Sequence, residues 1–175
     1  MWSASAPGRA LGVKVVDPRA LSTAELQAVC ALWFLEDGDF CAAERVGDFS
    51  SRPDTLDAIV HSRLQHHAQP DGVYENERWH VIIKEDERGE LFCLAAARSF
   101  VRQCVVGTEP LSVLALLAVV THPSARRHGY GRAVVSSVFE RLANPDTGAH
   151  DACLFAVAVR TKPHLETFYR GMPAT

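Results

Sequence analysis

The stretch from Val113 to Leu142 constrains the fold more than any other part of this 175-residue chain. Its first part, VLALLAVVTHP, is an apolar run that is too short to span a membrane and is typical of a strand buried on both faces. Its last part, AVVSSVFERL, has apolar residues at helical spacing on one side, and Asn144-Pro145 follows it as a stop signal. The sequence therefore predicts a buried strand, a turn and an amphipathic helix in immediate succession.

The turn between strand and helix, Arg126–Arg132, is basic and contains two glycines. The first residues of a helix leave backbone N–H groups without partners, and these groups carry partial positive charge. Gly129 and Gly131 place no side chain where a phosphate would approach the backbone, and the three arginines add full positive charge. The turn therefore predicts a site for a phosphate or a pyrophosphate. A surface turn whose arginines merely face solvent is the alternative.

Two common phosphate-binding motifs do not fit this turn. The P-loop requires Gly-Lys-Ser/Thr after four spacer residues, and the chain contains no such run. The dinucleotide fingerprint requires a third glycine at the position of Val134. Neither motif therefore identifies the ligand of this turn.

The pattern that fits is Arg126-x-x-Gly129-x-Gly131, after a buried strand and a turn at Pro123. It resembles the acetyl-CoA-binding motif of the GNAT superfamily of N-acetyltransferases, written Gln/Arg-x-x-Gly-x-Gly/Ala. The segment Val119–Pro123 resembles the end of that family's central strand. Because strand, proline, arginine and helix are in register together, we favour this resemblance over a solvent-exposed turn.

The resemblance implies that acetyl-CoA is bound as co-substrate. It implies that the central strand splays from its neighbour, so that free backbone groups hold the pantetheine arm and the turn holds the pyrophosphate. A backbone N–H near Val120 would then hold the oxyanion that forms on the acetyl carbonyl. The implied cofactor-binding residues are Val119, Val120, Thr121, Arg126, Arg127, His128, Gly129, Tyr130, Gly131 and Arg132.

Near the end of the chain, Phe168-Tyr169 matches a position where GNAT enzymes carry Phe/Tyr-Tyr. The resemblance implies that Tyr169 is the general acid that protonates the leaving thiolate. A phenol suits this step because its pKa is close to that of a thiol. The residues alone favour a tyrosine that packs beside Phe168.

The resemblance implies an N-acetyltransferase, in which an amine attacks acetyl-CoA directly. The acceptor would be a primary amine of a small molecule or a peptide. No residue stands out as the general base. The acidic segment Glu36–Asp39 could attract a cationic amine or be solvated surface, and His122 could relay protons, although a turn histidine is more often structural.

The coarse pattern gives the order β, α, α, β, β, β, α, β, α, which is also the GNAT order. The predicted fold is an α/β domain of the α+β type, with a mixed, mostly antiparallel sheet flanked by helices. Strands are predicted at 12–16, 79–84, 91–106, 111–121 and 153–159, and helices at 22–35, 53–67, 133–142 and 163–170. The first helix opens on a capping box, Ser22-x-x-Glu25.

The chain stops at Thr175, where the family has one or two further strands. We therefore expect the C-terminal strands to be missing, which leaves a strand edge at which two copies could pair as a homodimer. It also motivates an alternative function, a non-catalytic acyl-CoA-binding or regulatory module.

Length and composition indicate a single domain over residues 1–175, with a loose lead-in at 1–11. The net charge of −3 gives no general attraction to nucleic acid or to a membrane. The N-terminal residues lack the apolar core of a signal peptide, and we expect a cytoplasmic protein.

The histidines and cysteines do not predict a metal site. His61, His66, His67 and His80 lack the spacing of ligands on one helix face, and we interpret them as surface histidines. The five cysteines show no zinc-binding spacing, and we expect reduced, mostly buried thiols.

Overall fold

A computed structural model of the chain describes residues 12–36, 76–143 and 154–157. The strands are β1 (Lys14–Val16), β2 (Arg78–Glu85), β3 (Leu91–Val106), β4 (Glu109–Thr121) and β5 (Leu154–Val157). The helices are α1 (Thr23–Glu36) and α2 (Tyr130–Ala143). The lead-in and the helices predicted at 53–67 and 163–170 lie outside the described residues, so these expectations stay predictions, as does the expected lack of further C-terminal strands.

The five strands form one sheet in the order β1-β2-β3-β4-β5. Neighbouring strands from β1 to β4 are antiparallel, whereas β5 runs parallel to β4. The predicted mixed, mostly antiparallel sheet flanked by helices is therefore confirmed. The β2–β3 turn contains Gly89 at a φ of 80°, a conformation that glycine adopts without steric cost.

The two helices cover opposite faces of the sheet. On one face, Leu26, Val29 and Trp33 of α1 are buried together with Trp79 and Val81 of β2. On the other face, α2 packs against β4 through the buried residues Val134, Val135, Val138, Leu114 and Leu116. The central strands β3 and β4 are thus covered on both sides, which explains why the sequence of β4 is an almost continuous apolar run.

The capping box predicted at the start of α1 is present. The Glu25 N–H donates to Ser22 Oγ at 3.2 Å, and the Ser22 N–H donates to Glu25 Oε2 at 2.9 Å. Two backbone donors that a helix start leaves without helical partners are thereby satisfied.

Replacing Ser22 with alanine should lower the free energy of unfolding by about 1 kcal/mol, because the Glu25 N–H loses its acceptor. Urea denaturation followed by circular dichroism measures this change. Thr23→Ala in the same turn is the matched control, since Thr23 is exposed and lies one residue beyond the cap. An equal effect of the two substitutions would contradict the capping role.

Two of the five cysteines are described as buried free thiols, Cys30 and Cys93, as predicted. Burial raises the pKa of the Cys93 thiol to about 12, and its S–H donates to the Ala95 carbonyl at 3.3 Å. The Cys93 side chain is therefore an uncharged, packed group.

The interpretation of His80 as a surface histidine is wrong. The His80 side chain is fully buried between the sheet and α2, with 0% of its surface exposed. Its Nδ1 lies 2.7 Å from Ser137 Oγ of α2, and its Nε2 lies 2.7 Å from Ser99 Oγ of β3. Burial is tolerated because both ring nitrogens have partners from other elements of the fold.

Candidate active site

The segment that joins β4 to α2 is the candidate active site, and it consists of a strand end, a 3₁₀ turn and a helix start. β4 ends at Thr121, His122 caps a single 3₁₀ turn at Pro123–Ala125, and α2 begins at Tyr130. Within the turn, the Ala125 N–H donates to the His122 carbonyl at 2.8 Å. Pro123 has no N–H to lose at the first position of this turn, so the sequence specifies the change of direction locally.

The residues just before α2 form a concave run of backbone. Arg127 and Gly129 have φ angles of 66° and 84°, in the left-handed region. The first backbone bond into the helix runs from the Ala133 N–H to the Gly129 carbonyl at 2.9 Å. In the described structure, the N–H groups from Arg127 to Arg132 therefore precede the first helical donor and are available to an anion.

The charged side chains around this run are accessible. Arg126, Arg127 and Arg132 are all exposed, as is Gly129. His128 Nδ1 donates to the Arg126 carbonyl at 2.7 Å, and its ring stacks on Tyr130 with 6.3 Å between centroids. The predicted turn residues thus lie together, with helix-start amides and full positive charges at one surface.

The end of β4 departs from a regular strand at Ala118. Ala96 pairs with Val120 and Arg98 pairs with Leu117, so Ala118 and Val119 lie opposite the single residue Ala97. This is a β-bulge, and Ala118 adopts a φ of 55°. A left-handed conformation costs a residue with a Cβ about 1–2 kcal/mol, so something must hold it. No residue pattern in the sequence predicts this bulge, because residues with a left-handed conformation in a bulge are usually glycine.

The bulge also decides which backbone groups face the edge of β4 toward β5. The His122 N–H donates to the Leu94 carbonyl of β3 at 2.8 Å, which sets the phase of the ladder beyond the bulge. Alternation in an antiparallel pair then directs the backbone groups of Val120 toward Ala96, and those of Val119 and Thr121 toward the opposite edge. In agreement, the Thr121 carbonyl accepts from Arg126 Nε at 3.4 Å.

The predicted oxyanion contact at Val120 stays a prediction. By alternation the Val120 N–H faces Ala96 of β3, and the nearest N–H that alternation places toward the open edge is that of Val119. β4 pairs with β5 from Val113 to Leu116, and the described part of β5 ends at Val157. The predicted splay of the two strands lies beyond these residues and stays a prediction.

Other predicted groups divide between those described and those not described. His122 Nδ1 accepts from the Ser124 N–H at 3.3 Å and lies 2.7 Å from Ser124 Oγ, which supports the structural interpretation of this histidine over a proton relay. Tyr169 and Asp37–Asp39 lie outside the described residues, so their roles stay predictions.

Over 12–36, 76–143 and 154–157, the structure has no group of three or more His, Cys, Asp or Glu side chains that could hold a metal ion. None of the helices described there has the length and apolar character needed to cross a membrane.

No protein-family model and no curated protein matches the sequence. Solved structures do match over nearly the whole chain. A transcriptional regulator from Bacillus halodurans C-125 is similar at 15% identity, over 93% of this chain and 94% of that chain, with a TM-score of 0.58. An acetyltransferase from Trypanosoma brucei is similar at 15% identity, over 93% and 94% of the two chains, with a TM-score of 0.53.

A third match is the glucosamine-6-phosphate N-acetyltransferase from Arabidopsis thaliana, at 13% identity, over 93% of this chain and 92% of that chain, with a TM-score of 0.54. The chain has a GNAT-like fold. The resemblance predicted from the motif is thereby confirmed for the fold. At these identities, the GNAT-like fold by itself does not define the reaction or the acceptor.

Proposed function

We propose that the chain is an N-acetyltransferase that transfers the acetyl group of acetyl-CoA to a primary amine by direct attack. The acceptor would be a small molecule or a peptide. The observation that carries the proposal is the turn at Arg126–Arg132, where left-handed backbone, helix-start amides and exposed arginines meet directly beyond the bulged end of β4. A pyrophosphate fits this combination of donors and charges.

The proposed binding mode follows the backbone. The turn holds the pyrophosphate of CoA, with Tyr130 and Gly131 in the first turn of α2. The pantetheine arm runs along the edge of β4, where Thr121 offers its backbone groups and Val120 contributes apolar surface. The acyl carbonyl then lies near the Val119 N–H, which is directed at the same edge.

The proposed chemistry is one acyl transfer. The lone pair of a neutral amine forms a C–N bond to the acetyl carbonyl carbon, and the Val119 N–H stabilises the oxyanion. The C–S bond then breaks, and Tyr169 donates its phenolic proton to the thiolate. The ammonium proton leaves through a base or a water chain. Glu77 is a poor candidate for that base, because it is buried and paired with Arg98.

The alternative is a non-catalytic acyl-CoA-binding or regulatory module. One of the proteins that share the fold is named a transcriptional regulator, so the fold also serves a protein whose name is not that of an enzyme. Both functions require CoA binding, and only the first requires turnover. Release of free thiol from acetyl-CoA, screened over amine acceptors, therefore distinguishes them.

Replacing Gly129 with glutamate should weaken acetyl-CoA binding at least about tenfold, because it places a negative charge and a side chain in the anion site. Isothermal titration calorimetry measures the dissociation constant. Gly107→Glu is the matched control, since Gly107 also has a positive φ of 68°, lies in the distant β3–β4 turn and has open space around an added Cβ.

Equal affinities of the Gly129→Glu and Gly107→Glu variants would contradict the placement of the pyrophosphate. Competition by ATP as strong as that by CoA would contradict the choice of ligand, because it would indicate a general nucleotide site.

Replacing Tyr169 with phenylalanine should lower kcat about 100-fold and leave the acetyl-CoA dissociation constant unchanged, because only the proton donor is removed. Steady-state thiol release gives kcat, and calorimetry gives the affinity. Phe168→Leu is the neighbouring control, in which packing changes and the phenol stays. A Tyr169→Phe variant with unchanged kcat would assign Tyr169 to packing.

A further inference from the structure

The left-handed residue Ala118 lies inside a strand, yet it is held by a specific contact from α1. Trp33 Nε1–H donates to the Ala118 carbonyl at 3.1 Å. The Trp33 side chain is itself fixed, because it is 1% exposed and packs edge-on against Trp79 at 4.7 Å between ring centroids. The Arg98 guanidinium lies 5.9 Å from the Trp33 ring centroid. The packing of Trp33 against Trp79 and Arg98 therefore holds its indole N–H at the bulge.

The bulge changes the register of β4 by one residue. Before it, Leu114 and Leu116 pack on the α2 side, and after it, Ala118 and Val120 pack on the α1 side. If the register of Arg98 with Leu117 continued without a bulge, Ala96 would pair with Val119. The Val119 N–H would then belong to the β3 ladder and would be lost to the open edge.

We propose that Trp33 is a positioning residue that holds the Ala118 bulge and thereby presents the Val119 N–H to the acyl carbonyl of the bound thioester. The inference rests on the proposed function and deepens it. Because Trp33 is only 1% exposed, we place its effect in the geometry of β4 and not in a contact with substrate. The consequence is specific to the acyl group, because CoA without an acyl group has no thioester carbonyl for the Val119 N–H to contact.

The first experiment compares Trp33→Phe with Trp79→Phe. Both variants keep an aromatic ring, and therefore the edge-on ring contact between positions 33 and 79, and both lose one buried indole N–H. The Trp79 N–H, however, donates to Glu77 and not to the bulge. Calorimetry gives the dissociation constants of acetyl-CoA and CoA. We expect Trp33→Phe to lower the preference for acetyl-CoA over CoA about tenfold, and kcat in proportion, while Trp79→Phe leaves that preference unchanged.

The second experiment tests rescue. Glycine adopts a positive φ without the steric cost of a Cβ, so Ala118→Gly should restore the preference for acetyl-CoA in the Trp33→Phe background. Ala118→Gly in the wild-type background should leave it unchanged. Ala118→Val, which keeps Trp33 and disfavours a positive φ, should lower it. Failure of the glycine to rescue, or equal effects of Trp33→Phe and Trp79→Phe, would overturn the inference.

A ligand-free measurement separates this inference from the proposed function. Amide hydrogen exchange should show the Val120 N–H protected in the wild-type chain, since it faces Ala96. In Trp33→Phe the protection should move to Val119, and in Trp79→Phe it should stay at Val120. If the wild-type chain bound neither CoA nor acetyl-CoA, the proposed function would fail. Unchanged amide exchange in Trp33→Phe would by itself refute the positioning role of Trp33.

Discussion

Replacing Glu77 with glutamine is expected to lower the free energy of unfolding by about 3–5 kcal/mol. Glu77 Oε1 accepts from Arg98 Nε at 2.6 Å and from Trp79 Nε1. The side chains of Glu77 and Arg98 are 2% and 1% exposed. Glutamine has the same shape, but it removes the negative charge that lies against Arg98 in the core. Urea denaturation at neutral pH measures the loss.

The same substitution at an exposed ion pair is the control. Lys14 Nζ and Glu25 Oε1 are 2.7 Å apart, but their side chains are 49% and 21% exposed. Glu25→Gln keeps a capping residue at that position and should cost less than about 1 kcal/mol, because water screens the pair. A similar cost at Glu77 would contradict the buried charge pair as the cause.

A double substitution separates the charge from the packing. Glu77→Gln combined with Arg98→Met removes both charges, and the double variant should be more stable than Glu77→Gln alone. Arg98 also lies over the Trp33 ring, so the free energy of unfolding of the double variant includes the loss of this cation–π contact. A double variant less stable than the single one would indicate that the Arg98 side chain packs in its own right.

The elements that the sequence predicted well are those whose signals are local. The apolar run of β4 reflects burial of that strand on both faces, and the helical spacing of α2 reflects burial of that helix on one face. The start of α1 could be predicted because the side chains of Ser22 and Glu25 each accept from the other residue's backbone N–H within one turn. The turn at Arg126–Arg132 was readable for the same reason, since its proline, glycines and arginines act within a few residues of one another.

The features that the sequence did not reveal depend on partners from distant segments. Arg98 and Ser99 are polar residues in an apolar strand, and only Glu77 and His80 explain how they are buried. The direction of the backbone groups near Val120 was not readable for a related reason. Counting along a strand with period two assumes a regular ladder, and the bulge breaks it.

The hydrogen bonds around His80 have defined donors and acceptors. Arg141 Nη1 donates to Ser99 Oγ at 2.8 Å, and Ser137 Oγ donates to the Val134 carbonyl at 2.8 Å. With Arg141 donating to Ser99 and Ser137 donating to Val134, every polar proton finds an acceptor when Ser99 donates to His80 Nε2 and the Nδ1–H of His80 donates to Ser137. The buried imidazole is therefore neutral, with the proton on Nδ1, and it ties β2 and β3 to α2.

This arrangement makes stability depend on pH. Burial, followed by the positive charges of Arg141 and Arg78, lowers the pKa of His80 from 6.5 to about 3. Arg141 remains charged at neutral pH, because burial lowers its pKa only to about 10. Between pH 6.5 and 3 the unfolded chain binds a proton at His80 that the folded chain does not. The contribution of neutral His80 to the free energy of unfolding is complete above about pH 6.5. It falls by about 1.4 kcal/mol per pH unit as the pH is lowered toward 3.

His80→Gln provides the test, because glutamine has no proton to gain in this range. The variant should be less stable than the wild type at pH 7, and the difference should shrink by about 2 kcal/mol between pH 6.5 and pH 5, since only the wild type loses this contribution. Urea denaturation at a series of pH values measures both. His128→Gln, at an exposed histidine, should leave the dependence of the wild type unchanged. Parallel curves for the wild type and His80→Gln would show that His80 is protonated in the folded chain, and the direction assigned to the network would then be wrong.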